Sequence, residues 1–499
     1  MAKTYIMIKK PSSVWVSQNM IKEKIDANYM HYKFINLLDC KLEGTKKDFQ
    51  SMENGLLIDT LTDYTANGSF ESLDNNVKYT DSKGIPFIRI KNMSEDGLVL
   101  DDLYYIDNDS YRFLKKSKLE GNELLFSKTG AKLGLAMVFP SNFGKASLAD
   151  NIFKVVYKSE YDVHYIASFL NSKYGKLWVE RLSQGSAQPT IIKESFRQIK
   201  IPIPSPEIQK YIGDKVRRAE ELREEAKRLE NEINTFFNEK FSDIYNSIDE
   251  SKVYHSKFTW KSAENIRDVF NAEYFTLIGD KYEQVIREQK GVYLDDLLKD
   301  CFMGKSPSQY ADKGPKILKV KNLTNGGLDW SDSDHVDKEF YVKNKRCHLQ
   351  HGDVFIIPAA HLAKYIGEKV DVYIQGIEGI KYPDAMASGK IIVIRPNFDK
   401  VNPIYLCLVM REKFVYHQIQ RQVSGITASY YPKDVRQLCI PLIEREKQDM
   451  VADKYIEIIK CKEQAKQLIQ EAKQDVEDLI EGNFDMSKLD NNYTAESRC

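Results

Sequence analysis

Four short stretches hold residue types that could do chemistry on a nucleotide or hold a metal. Asn402-Pro403-Ile404-Tyr405 comes nearest to the Asn/Asp-Pro-Pro-aromatic motif with which an adenine methyltransferase grips a flipped base. It lacks the second proline, and no glycine-rich cofactor loop accompanies it. Asn as a cap with Pro in the first turn accounts for it as a helix start. Gly304-Lys305-Ser306 ends like a phosphate-cradling loop, yet no glycine stands five residues earlier and Pro307 follows, so it reads as a turn. Pro383-Asp384 would open a nuclease motif, but no acidic-x-Lys triplet follows at useful spacing. Cys347, His348 and His351 sit together before a predicted strand with no second ligand cluster, which suits surface side chains better than a metal site. The chain is therefore read as non-enzymatic, with no catalytic residue, no metal and no cofactor of its own.

Composition bounds the elements that must position whatever function remains. At 499 residues with 42% apolar and 11% aromatic side chains, the chain can fill more than one core. Apolar runs such as residues 404–410 fall far short of a membrane span, and Tyr5 to Ile8 is no signal-peptide core. Seven scattered cysteines without CxxC spacing suit a reducing cytoplasm. Net charge is zero overall. Residues 1–205 and 250–443 each carry 28 basic and 24 acidic side chains, net +4, while 206–240 is net −1 and 444–482 net −4. Two mildly basic globular parts on neutral-to-acidic helices would suit a nucleic-acid reader on a protein-binding frame.

The chain is written twice. Ile90-Lys91-Asn92 recurs as Val320-Lys321-Asn322, with Gly97 and Leu119 matching Gly327 and Leu349 at the same shift of 230. Arg197-Gln198-Ile199, Ile201-Pro202, Glu207 and Gln209 recur as Arg436-Gln437-Leu438, Ile440-Pro441, Glu446 and Gln448, a shift of 239. Asp26-Ala27-Asn28-Tyr29 echoes Asn271-Ala272-Glu273-Tyr274. Such order over three regions is an internal repeat. Each copy opens with short β-like runs (86–91 and 122–126; 316–321 and 353–357), then a helical stretch (165–182; 404–423), a Gly-containing polar loop and an Ile-Pro pair. A long helix follows in each. Its apolar stripe is Ile212, Val216, Ala219, Leu222, Ala226, Leu229, Ile233 and Phe236 in the first copy. In the second it is Val451, Tyr455, Ile458, Ala465, Leu468, Ala472, Val476 and Leu479, with Cys461 or Lys462 at the missing place. The spacing is near 3.5 residues, and a rod of about 45 Å with so narrow a seam needs a partner helix, which the other copy supplies.

This layout resembles the specificity subunits of type I restriction–modification systems over about residues 10–484. The words that carry the resemblance are residues 26–29, Phe126-Ser127-Lys128-Thr129-Gly130-Ala131, the stretch from Arg197 to Pro202, and Glu207 into Ile212-Gly213-Asp214. The second copy departs from the pattern, with Ile357-Pro358-Ala359-Ala360-His361 in place of residues 126–130. The resemblance implies an α+β chain of two tandem target-recognition domains of mixed α/β structure (1–205 and 250–443). Two long helices (206–245 and 444–484) would pair as an antiparallel coiled coil in a pseudo-two-fold repeat, and 485–499 would be a flexible tail. It further implies binding to double-stranded DNA at an asymmetric bipartite site in phage defence. The partners would be DNA methyltransferase subunits, two of them, and restriction/translocase subunits that carry S-adenosylmethionine, Mg²⁺ and ATP.

Base edges are read by polar side chains and phosphates are held by basic ones, so candidates lie in polar loops beside strands. In the first copy these are Arg89, Lys91 and Asn92; Lys128, Thr129 and Lys132; and Gln184, Ser186, Gln188 and Thr190. In the second they are Lys319, Lys321 and Asn322; His361 and Lys364; and Ser424, Thr427, Ser429, Tyr430 and Tyr431. For Asn92 and Asn322 a turn-capping role competes with reading. A specificity subunit of a type II-like or other phage-defence methylation complex fits the same sequence, and so does a coiled-coil scaffold that reads no DNA.

Overall fold

The computed structural model describes residues 49–249 and 278–489, apart from Ser82, Asp101, Ser186, Lys381 and 424–427, together with Leu38 and Leu42. The repeated words at 26–29 and 271–274 lie outside the described residues. The chain divides into two compact units, Met1–Arg223 with Gln464–Cys499, and Glu224–Glu463.

In the first unit a four-stranded antiparallel sheet runs in the order Ala136–Val138, Leu124–Ser127, Ile152–Tyr157, Ile58–Asp63. All four residues of Leu124–Ser127 are buried, because a strand covered on both faces tolerates an unbroken apolar run. A five-stranded mixed sheet lies alongside, in which Ile85–Ile88 pairs parallel to Ala146–Leu148. A ribbon of Phe49–Glu53 with Lys200–Pro204 leads into the first long helix, Pro206–Lys240. The expected helix over 165–182 is two helices, Val163–Asn171 and Lys173–Leu182. They part at Ser172, whose side chain accepts from the Gly175 amide and caps the second.

The second unit repeats the strand order. Its four-stranded sheet is Val370–Val372, Val354–Ile356, Ile392–Pro396, Leu298–Met303. Ala311–Leu318 pairs parallel to Ala385–Ala387, and Val292–Tyr293 forms the ribbon with Cys439–Ile440. The helical stretch over 404–423 is likewise broken, into Pro403–Met410 and Lys413–Gln420. The runs expected as strands over 86–91 and 316–321 end early, at Ile88 and Leu318, and turn into single 3-10 turns.

The recurring Glu-x-Gln acquires a physical reason. Buried Gln209 accepts from the Asp162 amide (3.2 Å) and donates to the Pro204 carbonyl (3.0 Å). Buried Gln448 does the same with the Asn402 amide (2.9 Å) and the Ile443 carbonyl (2.8 Å). Each glutamine clips the start of a long helix to the cap of a shorter one. Tyr165 and Tyr405 complete the pair, their hydroxyls donating to the carbonyls of Pro202 (2.6 Å) and Pro441 (2.7 Å).

Most of the expected stripe on the long helices is buried in both units, and Cys461 fills the missing place. Two positions need correction: Leu468 is half-buried beside a buried Ile469, and Phe237 rather than Phe236 is buried, because the stripe drifts by one residue over these lengths. Within the first unit Lys215 bonds Glu471 (3.1 Å) and Asp475 (2.6 Å). Burial alone would lower the Lys215 pKa, but Asp475 and Glu471 raise it. Within the second, Lys462 pairs with Glu230 (2.7 Å), Lys454 with Glu232 and Lys240 with Glu444. At the described start of the expected tail, Lys488 bonds Asp475 (2.8 Å). No helix among the described residues is long and apolar enough to cross a membrane.

Candidate nucleic-acid interface

Both copies place a 3-10 turn, Ile90–Asn92 and Val320–Asn322, at the end of a strand. The asparagine at its close is buried in each. Asn92 accepts from the Arg89 amide (3.2 Å) and donates to the Val99 carbonyl (3.1 Å). Asn322 accepts from Lys319 (2.8 Å) and donates to Asp329 (2.8 Å). Neither amide faces solvent, so the expectation that Asn92 and Asn322 read bases is corrected: their hydrogen bonds shape the turn. What the turn presents is the lysine before each asparagine.

Those lysines are held by carboxylates. Lys91 pairs with Asp102, which also lies 3.6 Å from Arg89, and these contacts hold the Asp102 carboxyl below its usual range. Arg89 stacks 3.4 Å over the Tyr104 ring and donates to the Asp102 carbonyl (2.6 Å). In the second copy Lys321 pairs with Asp332 (2.9 Å), while Lys319 pairs with Asp334 (2.8 Å) and lies 3.5 Å over the Tyr310 ring. Exposed pairs of this kind are weak, so a phosphate can replace the carboxylate at little cost. Asp102 and Asp332 stand at the same shift of 230 as their lysines, a signal in the sequence that the choice of basic and amide residues passed over.

In the first copy three loops converge. Thr129 pairs with Thr190, and Thr190 with Gln184, in antiparallel bridges. The Thr190 hydroxyl donates to the Lys128 carbonyl (2.9 Å). The Lys132 ammonium reaches the carbonyl of Met93 (2.6 Å), beside those of Ile90 and Lys91 (3.4 Å each). Lys128 pairs with Asp63 (3.2 Å) and Asp150 (3.6 Å), and Lys193 also reaches Asp63 (2.9 Å). Burial would raise the Asp63 pKa, but Lys193 and Lys128 together hold its carboxyl below the usual range. The structure thus corrects a second expectation. Lys128, Thr129, Lys132 and Thr190 hold the loops to one another, whereas Lys91, Gln184 and Gln188 are the exposed members of the set. Ser186 lies outside the described residues. Asp63 and Asp150 were missed because they lie far from the loops in sequence, and Lys193 because it falls just past the Gln184–Thr190 loop.

The second copy joins the equivalent loops by backbone. Ala359–Ala360 pairs antiparallel with Ala428–Ser429, and the Tyr430 amide donates to the Pro358 carbonyl (2.7 Å). Tyr430 is fully buried and offers no aromatic surface, which corrects its place among the readers; Tyr431 is exposed. His361 and Lys364 are exposed, Lys364 lying 5.2 Å from the Tyr365 ring. Ser424 and Thr427 lie outside the described residues. Behind the turn, buried Asp371 accepts from the amides of Thr324 (2.6 Å), Asn325 (3.0 Å) and Gly327 (3.3 Å) and pairs with Arg411 (3.1 Å). Burial raises its pKa against the pull of Arg411. Among the described residues no His, Cys, Asp or Glu cluster could hold a metal ion.

Residues 63–235 match the family model described as the type I restriction modification DNA specificity domain. Over that stretch the chain carries the specificity-domain pattern. The match spans the converging loops of the first copy and most of the first long helix. Among solved structures, the chain is similar to the S subunit of a type I restriction-modification system from M. genitalium, at 13% identity over 89% of this chain and 98% of that one, TM-score 0.43. It is also similar to the HsdS subunit from Thermoanaerobacter tengcongensis, at 13% identity over 89% of this chain and 100% of that one, TM-score 0.30. No curated protein matches the chain.

Proposed function

We propose that this chain is the DNA-reading specificity subunit of a type I restriction–modification complex and carries no active site. The observation that carries the proposal is the match of residues 63–235 to a DNA specificity domain, together with a second half that repeats its strand order and its buried asparagine turn. On this reading residues 1–205 and 250–443 are two target-recognition domains, each reading one part of a bipartite site. Unlike loops on a like frame read unlike bases, so the site is asymmetric. The long helices pair as an antiparallel coiled coil in a pseudo-two-fold repeat. The ion pairs from 230 to 462 and from 240 to 444, with residue numbers running oppositely, support this pairing. Two methyltransferase subunits dock on the chain, and restriction/translocase subunits join through the complex. S-adenosylmethionine, Mg²⁺ and ATP belong to those partners, and the assembly works in the cytoplasm.

The test is binding of the purified complex with its methyltransferase to duplex DNA across a salt series. Tight binding that weakens steeply with salt, with methylation at one sequence, supports the reading. Absence of DNA binding, with the methyltransferase still attached, would leave a coiled-coil scaffold instead.

A further inference from the structure

One edge of the four-stranded sheet in the second unit carries more than a reading loop. Met303 and Ile356 both pair with Ile392, so the ends of strands Leu298–Met303 and Val354–Ile356 share that edge, about 10 Å apart. Past Ile356 the chain enters Ala359–His361. Past Met303 it enters a strap that ends at Tyr310, under Lys319 of the reading turn. Between the start of this strap and residues 342–347 lies an open cleft of about 530 Å³.

The charged side chains lining the cleft are all basic: Lys305, Lys343, Lys345 and Arg346. Arg346 is held in place by Asp300, through bonds of 2.9 and 3.0 Å. Among the described residues no carboxylate pairs with Lys305, Lys343 or Lys345, unlike the lysines of the reading turns. The strap is fixed, not loose: the Gly304 and Lys305 amides donate to the carbonyls of Ile391 (3.0 Å) and Ala387 (2.9 Å). A Cβ on Gly304 would meet the Ala387 and Ser388 carbonyls at 2.4 Å, so the close approach requires glycine.

The first unit fills the equivalent place. There Asn67 donates to the Tyr64 carbonyl (2.9 Å) and the Ser117 hydroxyl (3.0 Å) and accepts from the Lys116 amide (2.8 Å). Asp63 stands at the strand end where the second unit has Met303. The first copy closes this position with hydrogen bonds, with Lys115 and Lys116 at the shift of 230 from Lys345 and Arg346; the second leaves it open.

We infer that the cleft of Lys305, Lys343, Lys345 and Arg346 takes backbone phosphates of duplex DNA, giving the second half a sequence-independent grip. The inference rests on the proposed DNA-reading function. Three lysines without carboxylate partners suit a polyanion, and lysine ammonium groups bind phosphate as point charges without reading bases. The shared sheet edge puts the grip beside the loop that would meet the bases.

The experiment uses the complex with its methyltransferase and the triple variant K305A/K343A/K345A, measuring affinity for duplexes with and without the target from 50 to 300 mM salt. The expected result is weaker binding to both duplexes by about 10- to 100-fold near 0.1 M salt. The slope of log K against log salt should become shallower by about 2–3, with the methylated sequence unchanged. The K305R/K343R/K345R variant should restore the slope. Wild-type slope and affinity in the alanine variant would overturn the inference, as would a changed target sequence. If the unmodified complex itself fails to bind DNA, the parent reading fails and takes this inference with it.

Discussion

Where the first half stitches two loops together with the hydroxyls and backbone of Thr129 and Thr190, the second lays Ala359–Ala360 against Ala428–Ser429 as a short antiparallel pair. Below this level the halves agree bond for bond: Asn92 with Asn322, Gln209 with Gln448, Tyr165 with Tyr405. A duplicated chain has kept the hydrogen bonds that set backbone geometry and changed the side chains that meet solvent. This is the division of labour expected of a frame that must stay constant while its specificity changes.

The largest effect that can break this comparison is a swap. Replacing residues 84–205 with the equivalent segment of a related domain should change the methylated sequence in one half-site completely and leave the other intact, read by sequencing methylated bases. Unchanged methylation in both halves would end the assignment. Next comes the anchor of the turn, where the halves differ. Asp371→Ala strands Arg411 and three amides in the interior and should cost roughly 3–5 kcal/mol in denaturant titration. In the first half the same ladder position is Met137, and the acid near that turn is Glu95, which pairs with Lys176 (2.8 Å) and Lys473 (2.6 Å) nearer the surface, so Glu95→Ala should cost about 1 kcal/mol or less.

Where the halves agree, mutations should agree. Asn92→Ala and Asn322→Ala each leave buried backbone groups unbonded and should cost about 1–3 kcal/mol, nearly equally. The bases methylated should not change, and a shift in target sequence would restore these residues to the reading set. The smallest effect is on pH. Asp63, held low by Lys193 and Lys128, gives stability that is full above its unfolded pKa near 4 and is lost as pH falls through the folded value. Asp371, raised by burial, has the opposite sign and gains stability as it protonates. Asp63→Asn should therefore reduce the loss of stability on acidification, and Asp371→Asn should increase it, read by denaturant titration across an acid pH series.

The sequence made the duplication legible because its anchors are short words at nearly constant shifts. Glu-x-Gln was visible as a signature, although its clip between two helix starts needs the fold. The helix seam followed from spacing near 3.5 residues and slipped only where Ile469 and Phe237 take over from Leu468 and Phe236. The reading residues were legible as loops and much less as individuals. Asn92 and Tyr430 look like polar and aromatic loop residues, yet their burial depends on strands far away in the chain. Lys128 looks like a free cation because Asp63, its partner, lies 65 residues earlier. Local pattern reports which segment is exposed to solvent; long-range pairing decides which side chain within it is available.

The most direct measurement is single-molecule sequencing of methylated bases in host DNA with and without this gene. The account predicts one methylated sequence made of two unlike parts separated by a fixed number of unspecified bases, present only when the gene is. Methylation that is identical in the two genomes, or a single uninterrupted palindrome, would contradict it.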